Sequence, residues 1–222
     1  DIHIQASSSY YIPIQLGANV FNKEETIIDY SGKKLVGLGD SSTNGMSVTL
    51  PSSSSVDLAY LLGYFVSEGH SKDNYLVLTN KDKNLIDHVA YCYAKVFNLD
   101  EDKVFNRVLT KDDFYEFRVY DSAAAQLLTY VGLAQVASHE KQVPWIIRRG
   151  TKEEQIAFLS ALFEGDGSSQ KREVSYFSLS DKLLLEVQQM LLNFGIYAKR
   201  SAPKLVWRTT DKSSVAGSLN LT

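Results

Sequence analysis

The stretch Ile156–Gly167 reads Ile-Ala-Phe-Leu-Ser-Ala-Leu-Phe-Glu-Gly-Asp-Gly, and the earlier stretch Leu58–Gly69 reads Leu-Ala-Tyr-Leu-Leu-Gly-Tyr-Phe-Val-Ser-Glu-Gly. Each is an apolar segment of helical length that ends in a carboxylate followed at once by glycine. Because glycine adopts the left-handed conformation that ends many helices, we expect Glu68 and Asp166 to lie on the last turn of their helices. A negative charge is unfavourable at that end of the helix dipole, so the pattern indicates a compensating cation.

Small residues recur one turn apart in both segments, as Gly63 and Ser67 in the first and Ala161 and Gly165 in the second. Small side chains at i and i+4 allow two helix backbones to approach closely. If these faces pack together, the two terminal carboxylates lie side by side, where they repel each other unless a proton or a metal ion intervenes. Oxygen ligands of this kind suit Mg²⁺. The alternative is two buried helices with unrelated acids, but the same ending 98 positions apart favours a pair.

The two segments resemble the paired motifs of the LAGLIDADG homing endonucleases. The matching runs are Leu61–Gly69 and Leu159–Gly167, and the resemblance extends roughly from Val56 to Arg200. The first run, together with Lys141–Pro144, most resembles the endonuclease domains carried inside inteins. The resemblance implies an α+β fold of two pseudo-symmetric αββαββα units, whose antiparallel sheets form a saddle over DNA while the motif helices pack at the interface.

The pattern behind each motif also repeats, which indicates an internal duplication. Thr79–Asp87 and Ser178–Glu186 echo each other at an offset of 99, one residue from the motif offset. From the residues alone, each unit reads as helix, strand, helix, two strands and helix. We expect an N-terminal extension or linker over residues 1–55, a first unit over 56–150 and a second unit over 151–222 that lacks its closing helix.

Local signals predict individual elements. Thr151–Glu154 has the pattern of a capping box and predicts the start of the second motif helix. Lys103–Leu109 and Phe114–Tyr120 are predicted as two strands joined by a polar turn. Residues 1–55 read as short strands between flexible connectors, typical either of an intein junction or of a loosely packed extension.

The charge of the 222-residue chain is unevenly distributed, although the net value is only −3. Residues 1–140 carry 11 Lys and Arg against 18 Asp and Glu, whereas residues 141–222 carry 12 against 8. Phosphate contacts need local positive potential rather than a basic protein, so the composition permits DNA binding. The single cysteine, Cys92, excludes an internal disulfide and a cysteine-based zinc site. With no bilayer-spanning run and no secretory leader, we expect a cytoplasmic or nuclear protein without a membrane partner.

The resemblance implies a monomeric, Mg²⁺-dependent endonuclease that cuts both strands of a long, pseudo-palindromic DNA target. We assign catalysis to Glu68, Asp166 and Lys141. The metal site is assigned to Glu68, Asp166 and Gly167, with Mn²⁺ as a substitute for Mg²⁺. Lys141 lies where the resembled intein endonucleases keep a basic residue near the metal, but it reads equally well as a surface lysine before a proline turn.

Basic residues on the predicted strands and loops are candidate DNA contacts, because arginine on a sheet can pair with guanine in the major groove. They are Arg107, Arg118, Lys171, Arg172, Lys199, Arg200, Lys204 and Arg208. Taken singly, each also fits an ordinary solvated charge. The alternative function is a catalytically inactive DNA- or RNA-binding module of the same fold, such as a regulator or a maturase. Retention of both terminal acids favours the enzyme.

Overall fold

A computed structural model of the chain describes residues 18–30, 48–72, 75–133, 136–170, 173–201, 204–207 and 213–221. Within these residues the chain forms two units that both begin with the order helix, two strands and helix, followed by further strands, and a connector joins them. None of the described helices combines the length and the apolar character that crossing a membrane requires.

The first unit starts with the first motif helix. Its elements are α1 (Val56–Glu68), β1 (His70–Lys72), β2 (Tyr75–Asn80), α2 (Lys83–Val96), α3 (Glu101–Phe105), β3 (Val108–Thr110), β4 (Tyr115–Val119) and α4 (Ser122–Tyr130). The four strands form an antiparallel sheet in the order β1-β2-β4-β3.

The connector is the segment between the end of α4 and the start of the second motif helix (residues 131–151), and it holds a 3₁₀ turn and a short helix. The elements are the 3₁₀ turn (Ser138–Glu140), α5 (Trp145–Arg148), α6 (Lys152–Asp166), β5 (Gly167–Gln170), β6 (Glu173–Ser178), α7 (Asp181–Asn193), β7 (Ala198–Arg200), β8 (Lys204–Trp207) and β9 (Ser213–Leu221). The second sheet has the order β5-β6-β9-β7, with β8 paired to β9. The predicted α+β fold of two related antiparallel units is confirmed, with β9 in the place that β4 takes in the first sheet.

Two strands that the residues alone did not predict follow the motif helices directly. β1 and β5 each pair with the next strand, so that His70 lies opposite Val77 and Ser168 lies opposite Ser175. Both strands are short and contain only polar residues and glycine, so neither shows the apolar alternation that predicts a strand. Each unit therefore opens with a helix and two strands rather than one.

The predicted strand Lys103–Leu109 is wrong in its first half. The side chain of Asp100 accepts a hydrogen bond from the backbone N–H of Lys103 at 3.1 Å and caps α3. The strand is therefore confined to β3. The second predicted strand, Phe114–Tyr120, agrees with β4 to within one residue at each end.

Both motif helices begin at capping side chains. The hydroxyl of Ser55 accepts a hydrogen bond from the N–H of Leu58 at 3.2 Å. Thr151 Oγ1 accepts from the N–H of Glu154 at 3.3 Å, while Glu154 Oε2 accepts from the N–H of Thr151 at 2.7 Å. The predicted capping box is confirmed, and it fixes the start of α6.

Each sheet packs one face against helices, and we call the opposite face the open face, although Val77 and Glu116 on it are buried. In the first sheet, Leu78 and Phe117 lie opposite each other and are fully buried, with Phe117 against Tyr93 of α2. In the second sheet, Tyr176 and Leu219 hold the corresponding positions and are also fully buried. Because side chains alternate along a strand, the immediate neighbours of these residues lie on the open face.

The described part of the N-terminal extension packs against both units. Within it, the N–H of Ile28 donates to the carbonyl of Ser52 at 2.9 Å. The hydroxyl of Tyr130, at the end of α4, donates to the carbonyl of Asp29 at 2.7 Å. Asn193, at the end of α7, donates to the carbonyl of Val20 at 3.0 Å. The extension is thus held by both units, while residues 1–17 and 31–47 lie outside the described residues.

Candidate active site

The motif helices α1 and α6 form the most extensive contact between elements in the described part of the chain. A Cβ atom added at Gly63 would meet the carbonyl oxygen of Phe158 and would lie 2.9 Å from the Cβ of Ala161. A Cβ atom at Gly165 would lie 2.7 Å from the Cβ of Ser67. The four small residues that the sequence singled out therefore face one another, and only small side chains allow this approach.

The glycines that follow the two acids do not adopt the expected left-handed conformation, so this prediction is wrong. The φ angle is −75° at Gly69 and −85° at Gly167, which is extended backbone. Glycine is needed at both positions because the surrounding atoms leave no room for a Cβ atom. A Cβ at Gly69 would lie 2.8 Å from Cδ1 of Phe65, and a Cβ at Gly167 would lie 3.1 Å from Cα of Phe163. Each glycine lets the chain pass straight from the helix into β1 or β5.

The carboxylates of Glu68 and Asp166 end the two helices at the same end of the interface. A Cβ at Gly165 would lie 3.1 Å from Cγ of Glu68, which shows how close the first acid is to the second helix. Burial raises the pKa of Glu68, and the negative charge of Asp166 raises it further. Burial also raises the pKa of Asp166, while the positive charge of Lys141 acts in the opposite direction. The two acids therefore share one electrostatic environment.

Lys141 places a positive charge at the end of the first motif helix. Its Nζ donates hydrogen bonds to the carbonyls of Val66 at 2.6 Å and Ser67 at 3.0 Å, at the C-terminus of α1. An ammonium group in this position compensates the negative end of the helix dipole. Burial lowers the pKa of Lys141, whereas the charges of Asp166 and Glu68 act in the opposite direction. Of the two readings of Lys141, this placement supports the one at the acids.

The donor set at the helix ends fits a hard divalent cation. Two carboxylates converge there, and Gly167 follows Asp166 in an extended conformation. Within the described ranges, no group of three or more His, Cys, Asp or Glu side chains is arranged to hold a metal ion. Mg²⁺ commonly binds to one or two carboxylates and takes its remaining ligands from water and substrate phosphates. The residues present therefore suit a metal that is shared with a phosphate substrate.

Arg107 is held inside the fold. Its guanidinium pairs with Asp121, and the side chains are only 10% and 2% exposed. The hydroxyl of Tyr93 donates to the same carboxylate at 2.6 Å. The Arg107 side chain is thus committed to a buried ion pair, and we remove it from the set of candidate DNA contacts. Arg118 pairs with Glu116 on the open face of the first sheet.

The basic residues of the second sheet separate by face. Lys199 follows the buried Ala198 in its strand and lies opposite Asn220, so it belongs to the open face. Arg200 lies on the helix face and approaches Asp181 of α7 at 3.5 Å. Lys204 is in β8 and pairs with Ala216. The candidates Lys171, Arg172 and Arg208 lie outside the described residues.

Residues of other types share the open faces and were not singled out from the sequence. Thr79 lies opposite Glu116 in the first sheet, and Phe177 lies opposite Ser218 in the second. Phe177 is 49% exposed, which is unusual for a large aromatic side chain on a strand. The period-two alternation of the predicted strand Val174–Ser178 is the sequence signal that could have placed Phe177 on this face.

A duplicated α+β unit with two packed, acid-tipped motif helices is the arrangement expected of a two-unit LAGLIDADG fold. Residues 153–216 match the family model of the LAGLIDADG-like domain. The resemblance predicted from the two motifs is thereby confirmed, and the chain has the LAGLIDADG fold.

Solved structures agree with this fold. A structure of mesophilic variants of the homing endonuclease I-DmoI has a TM-score of 0.54 and 20% identity over 75% of this chain and 88% of that chain. The crystal structure of I-DmoI in complex with DNA and Ca also has a TM-score of 0.54 and 20% identity, over 75% of this chain and 83% of that chain. At this level of identity the likeness concerns the fold.

Parts of longer proteins are similar in sequence. The chain is 30% identical over 151 residues to the DNA gyrase A protein of Mycobacterium kansasii, which covers 64% of this chain and 27% of that protein. It is 29% identical over 145 residues to the replication factor C small subunit of Methanocaldococcus jannaschii, covering 64% of this chain and 8% of that protein. The chain spans about a quarter of the length of the first curated relatives that it matches.

Proposed function

We propose that this chain is a site-specific homing endonuclease that hydrolyses both strands of a long, pseudo-palindromic DNA target with the help of Mg²⁺. The observation that carries the proposal is the convergence of Glu68, Asp166 and Lys141 at one end of the packed motif helices. Two carboxylates that can hold a metal ion, with an ammonium group in electrostatic contact with them, suit the hydrolysis of a phosphodiester.

The proposed chemistry assigns a separate task to each side chain. Glu68 and Asp166 would hold the divalent ion, with Gly167 assigned to the same site. When bound there, Mg²⁺, or Mn²⁺ in its place, would activate a water molecule and stabilise the oxygen that leaves phosphorus. Lys141 adds a fixed positive charge where negative charge develops on the phosphate. Its two hydrogen bonds to the end of α1 hold this charge in place before DNA arrives.

The open faces of the two sheets are the proposed DNA-binding surface. A strand pair fits the major groove, where alternate side chains reach the base edges. Arg118 and Lys199 are the described candidates on these faces, and Thr79 and Phe177 lie beside them. The single chain contains two related units, so we propose that it binds as a monomer and that its internal pseudo-symmetry matches the target.

We further infer that the chain is the endonuclease part of an intein. Its relatives include parts of the DNA gyrase A protein, of the small subunit of replication factor C, and of the replicative DNA helicase DnaB of Rhodothermus marinus. These proteins have different names and roles, yet the shared segment covers only 27%, 8% and 18% of them, respectively. A segment common to such different proteins is best explained as an inserted element.

A plasmid library with randomised inserts tests the proposal. In Mg²⁺ we expect cleavage at one family of related sites, and in Ca²⁺ we expect binding to the same sites with little cleavage. The matched control is Glu164→Gln. Glu164 lies two residues before Asp166, and its carboxylate accepts a hydrogen bond from the hydroxyl of Tyr60. Binding without cleavage in Mg²⁺ would support the inactive binding module, and no selective binding at all would contradict both functions.

A further inference from the structure

The connector between the units is anchored on one helix of the second unit. The hydroxyl of Ser180 donates to the backbone carbonyl of Lys141 at 2.5 Å. The N–H of Val143 donates to Oε2 of Glu186 at 2.7 Å, and Arg148 donates to Oε1 of the same carboxylate at 2.8 Å. Both anchoring side chains belong to α7 or to its N-terminal cap. The side chain of Lys141, in contrast, reaches α1 of the first unit.

The two anchoring side chains, Ser180 and Glu186, are largely shielded from solvent. Ser180 is fully buried, and it also caps α7 by accepting from the N–H of Leu183 at 3.1 Å. The Glu186 side chain is only 13% exposed and accepts hydrogen bonds at both oxygens. Hydrogen bonds to a carboxylate are stronger than those between neutral groups, and more so when water is excluded.

A free lysine has many side-chain conformations, so the location of its ammonium depends on where its backbone is held. The Nζ of Lys141 meets the carbonyls of Val66 and Ser67 only if the connector keeps its path along α7. A displacement of about 1 Å in a catalytic group can lower a rate by about 100-fold. The precision of the lysine therefore depends on the second unit as well as on the first.

We propose that Ser180 and Glu186 are positioning residues for Lys141, and that through them the second unit sets the geometry of the site on the first motif helix. This proposal rests on the proposed endonuclease function. The two side chains act on the reaction only through the connector and the lysine that it carries. Neither of them is assigned a contact with DNA or with a metal ion.

The duplication offers a matched control for the helix cap. Asp82 caps α2 of the first unit at the position that corresponds to Ser180, and it accepts from the N–H of Asn84 at 2.9 Å. Asp82→Ala removes an equivalent cap without touching the bond to Lys141. Both this variant and Ser180→Ala are expected to lower the stability of the protein, because each removes a helix cap.

The test is single-turnover cleavage at saturating DNA, measured beside the binding constant for the same DNA in Ca²⁺. We expect Ser180→Ala and Glu186→Ala to reduce the rate at least about 10-fold with unchanged binding, Ser180→Thr to restore it, and Asp82→Ala to leave it unchanged. In a Lys141→Met background, neither change should reduce the rate further, because residues that act through one group are not additive. Equal losses with and without Lys141, or unchanged rates in both variants, would overturn the proposal.

A second measurement separates this proposal from the endonuclease function. The ammonium resonance of Lys141, assigned by its loss in Lys141→Met, reports the order of the side chain by NMR without any cleavage. We expect this resonance to broaden or shift in Glu186→Ala and to stay in place in Asp82→Ala. If the wild type cuts no DNA but the resonance responds in this way, the proposed function fails and the positioning stands. An unchanged resonance in Glu186→Ala would refute the positioning.

Discussion

One equivalent position carries a basic residue in both units, but this residue is buried in the first unit and exposed in the second. Phe117 and Leu219 correspond in the two sheets, and they pair with Val108 and Arg200, respectively. The preceding residues, Arg107 and Lys199, therefore hold equivalent positions. Arg107 is buried in an ion pair with Asp121, whereas Lys199 is exposed on the open face.

The ends of the motif helices differ in the same way. The last carbonyls of α1 receive the ammonium of Lys141, and Glu68 beside them is half-buried. Asp166 at the end of α6 is more exposed. A duplicated backbone thus keeps its geometry while its two helix ends differ in hydrogen bonding and in exposure. The following predictions test how far that difference extends.

The largest expected effect tests what the two units share. Glu68→Gln and Asp166→Asn should each lower the cleavage rate by at least about 1,000-fold, since each removes a ligand of the proposed metal site. Target binding in Ca²⁺ should stay within a few-fold of the wild type. Gel-based cleavage and binding titrations measure both quantities. A variant that still cuts at the wild-type rate would show that its unit takes no part in the chemistry.

The next prediction contrasts the equivalent residues Arg107 and Lys199. Arg107→Met leaves the carboxylate of Asp121 buried without its partner, and we expect it to lower the free energy of unfolding by about 3–5 kcal/mol. Lys199→Met should leave stability nearly unchanged. It should instead reduce the salt dependence of DNA binding by about one unit of logarithmic slope. Denaturant titration measures the stability of both variants, and DNA binding at several salt concentrations measures their salt dependence. If Arg107→Met and Lys199→Met gave the same result, the two residues would not differ in role.

The third prediction concerns the unequal helix ends. Lys141→Met should reduce the single-turnover rate about 100-fold, as the loss of one preorganised positive charge does. Because the ammonium lies at the end of α1, we expect the two DNA strands to be affected unequally, so that nicked DNA accumulates. Lys152→Met, at the far end of α6, is the control. Equal slowing of both strands would mean that the lysine serves both halves of the site alike.

The sequence predicts the elements where a pattern repeats and fails where contacts decide. The carboxyl-glycine endings and the small residues Gly63 and Gly165 were sufficient to predict the helix pair, because close packing restricts side-chain size. The polar strands β1 and β5 gave no signal of their own. The burial of Arg107 depends on Asp121, 14 positions away and on another element, so no local pattern reports it. The roles of Ser180 and Glu186 could not be predicted from the sequence for the same reason, since their hydrogen-bond partners lie about 40 residues earlier.

The smallest expected effect is on stability, and its sign follows from the raised pKa of Glu68. Burial raises this pKa in the folded state, so folding costs free energy whenever the carboxyl is ionised. Below the ordinary pKa of glutamate the group is protonated in both states and there is no cost. As the pH rises from there through the folded-state pKa, the unfolded state releases its proton first, and the folded state loses relative stability.

Glu68→Gln should therefore be more stable than the wild type at pH 7, and this advantage should vanish at low pH. Divalent cations should raise the stability of the wild type but not that of the variant, because they compensate the buried charge. Denaturant titrations at pH 4 and pH 7, with and without Ca²⁺, measure both effects, and Glu153→Gln on the exposed first turn of α6 is the control. Asp166→Asn should show the same sign with a different size, since Asp166 is the more exposed acid. A variant less stable than the wild type at pH 7 would mean that the Glu68 carboxylate stabilises the fold, and the site would then be structural rather than held ready for a cation.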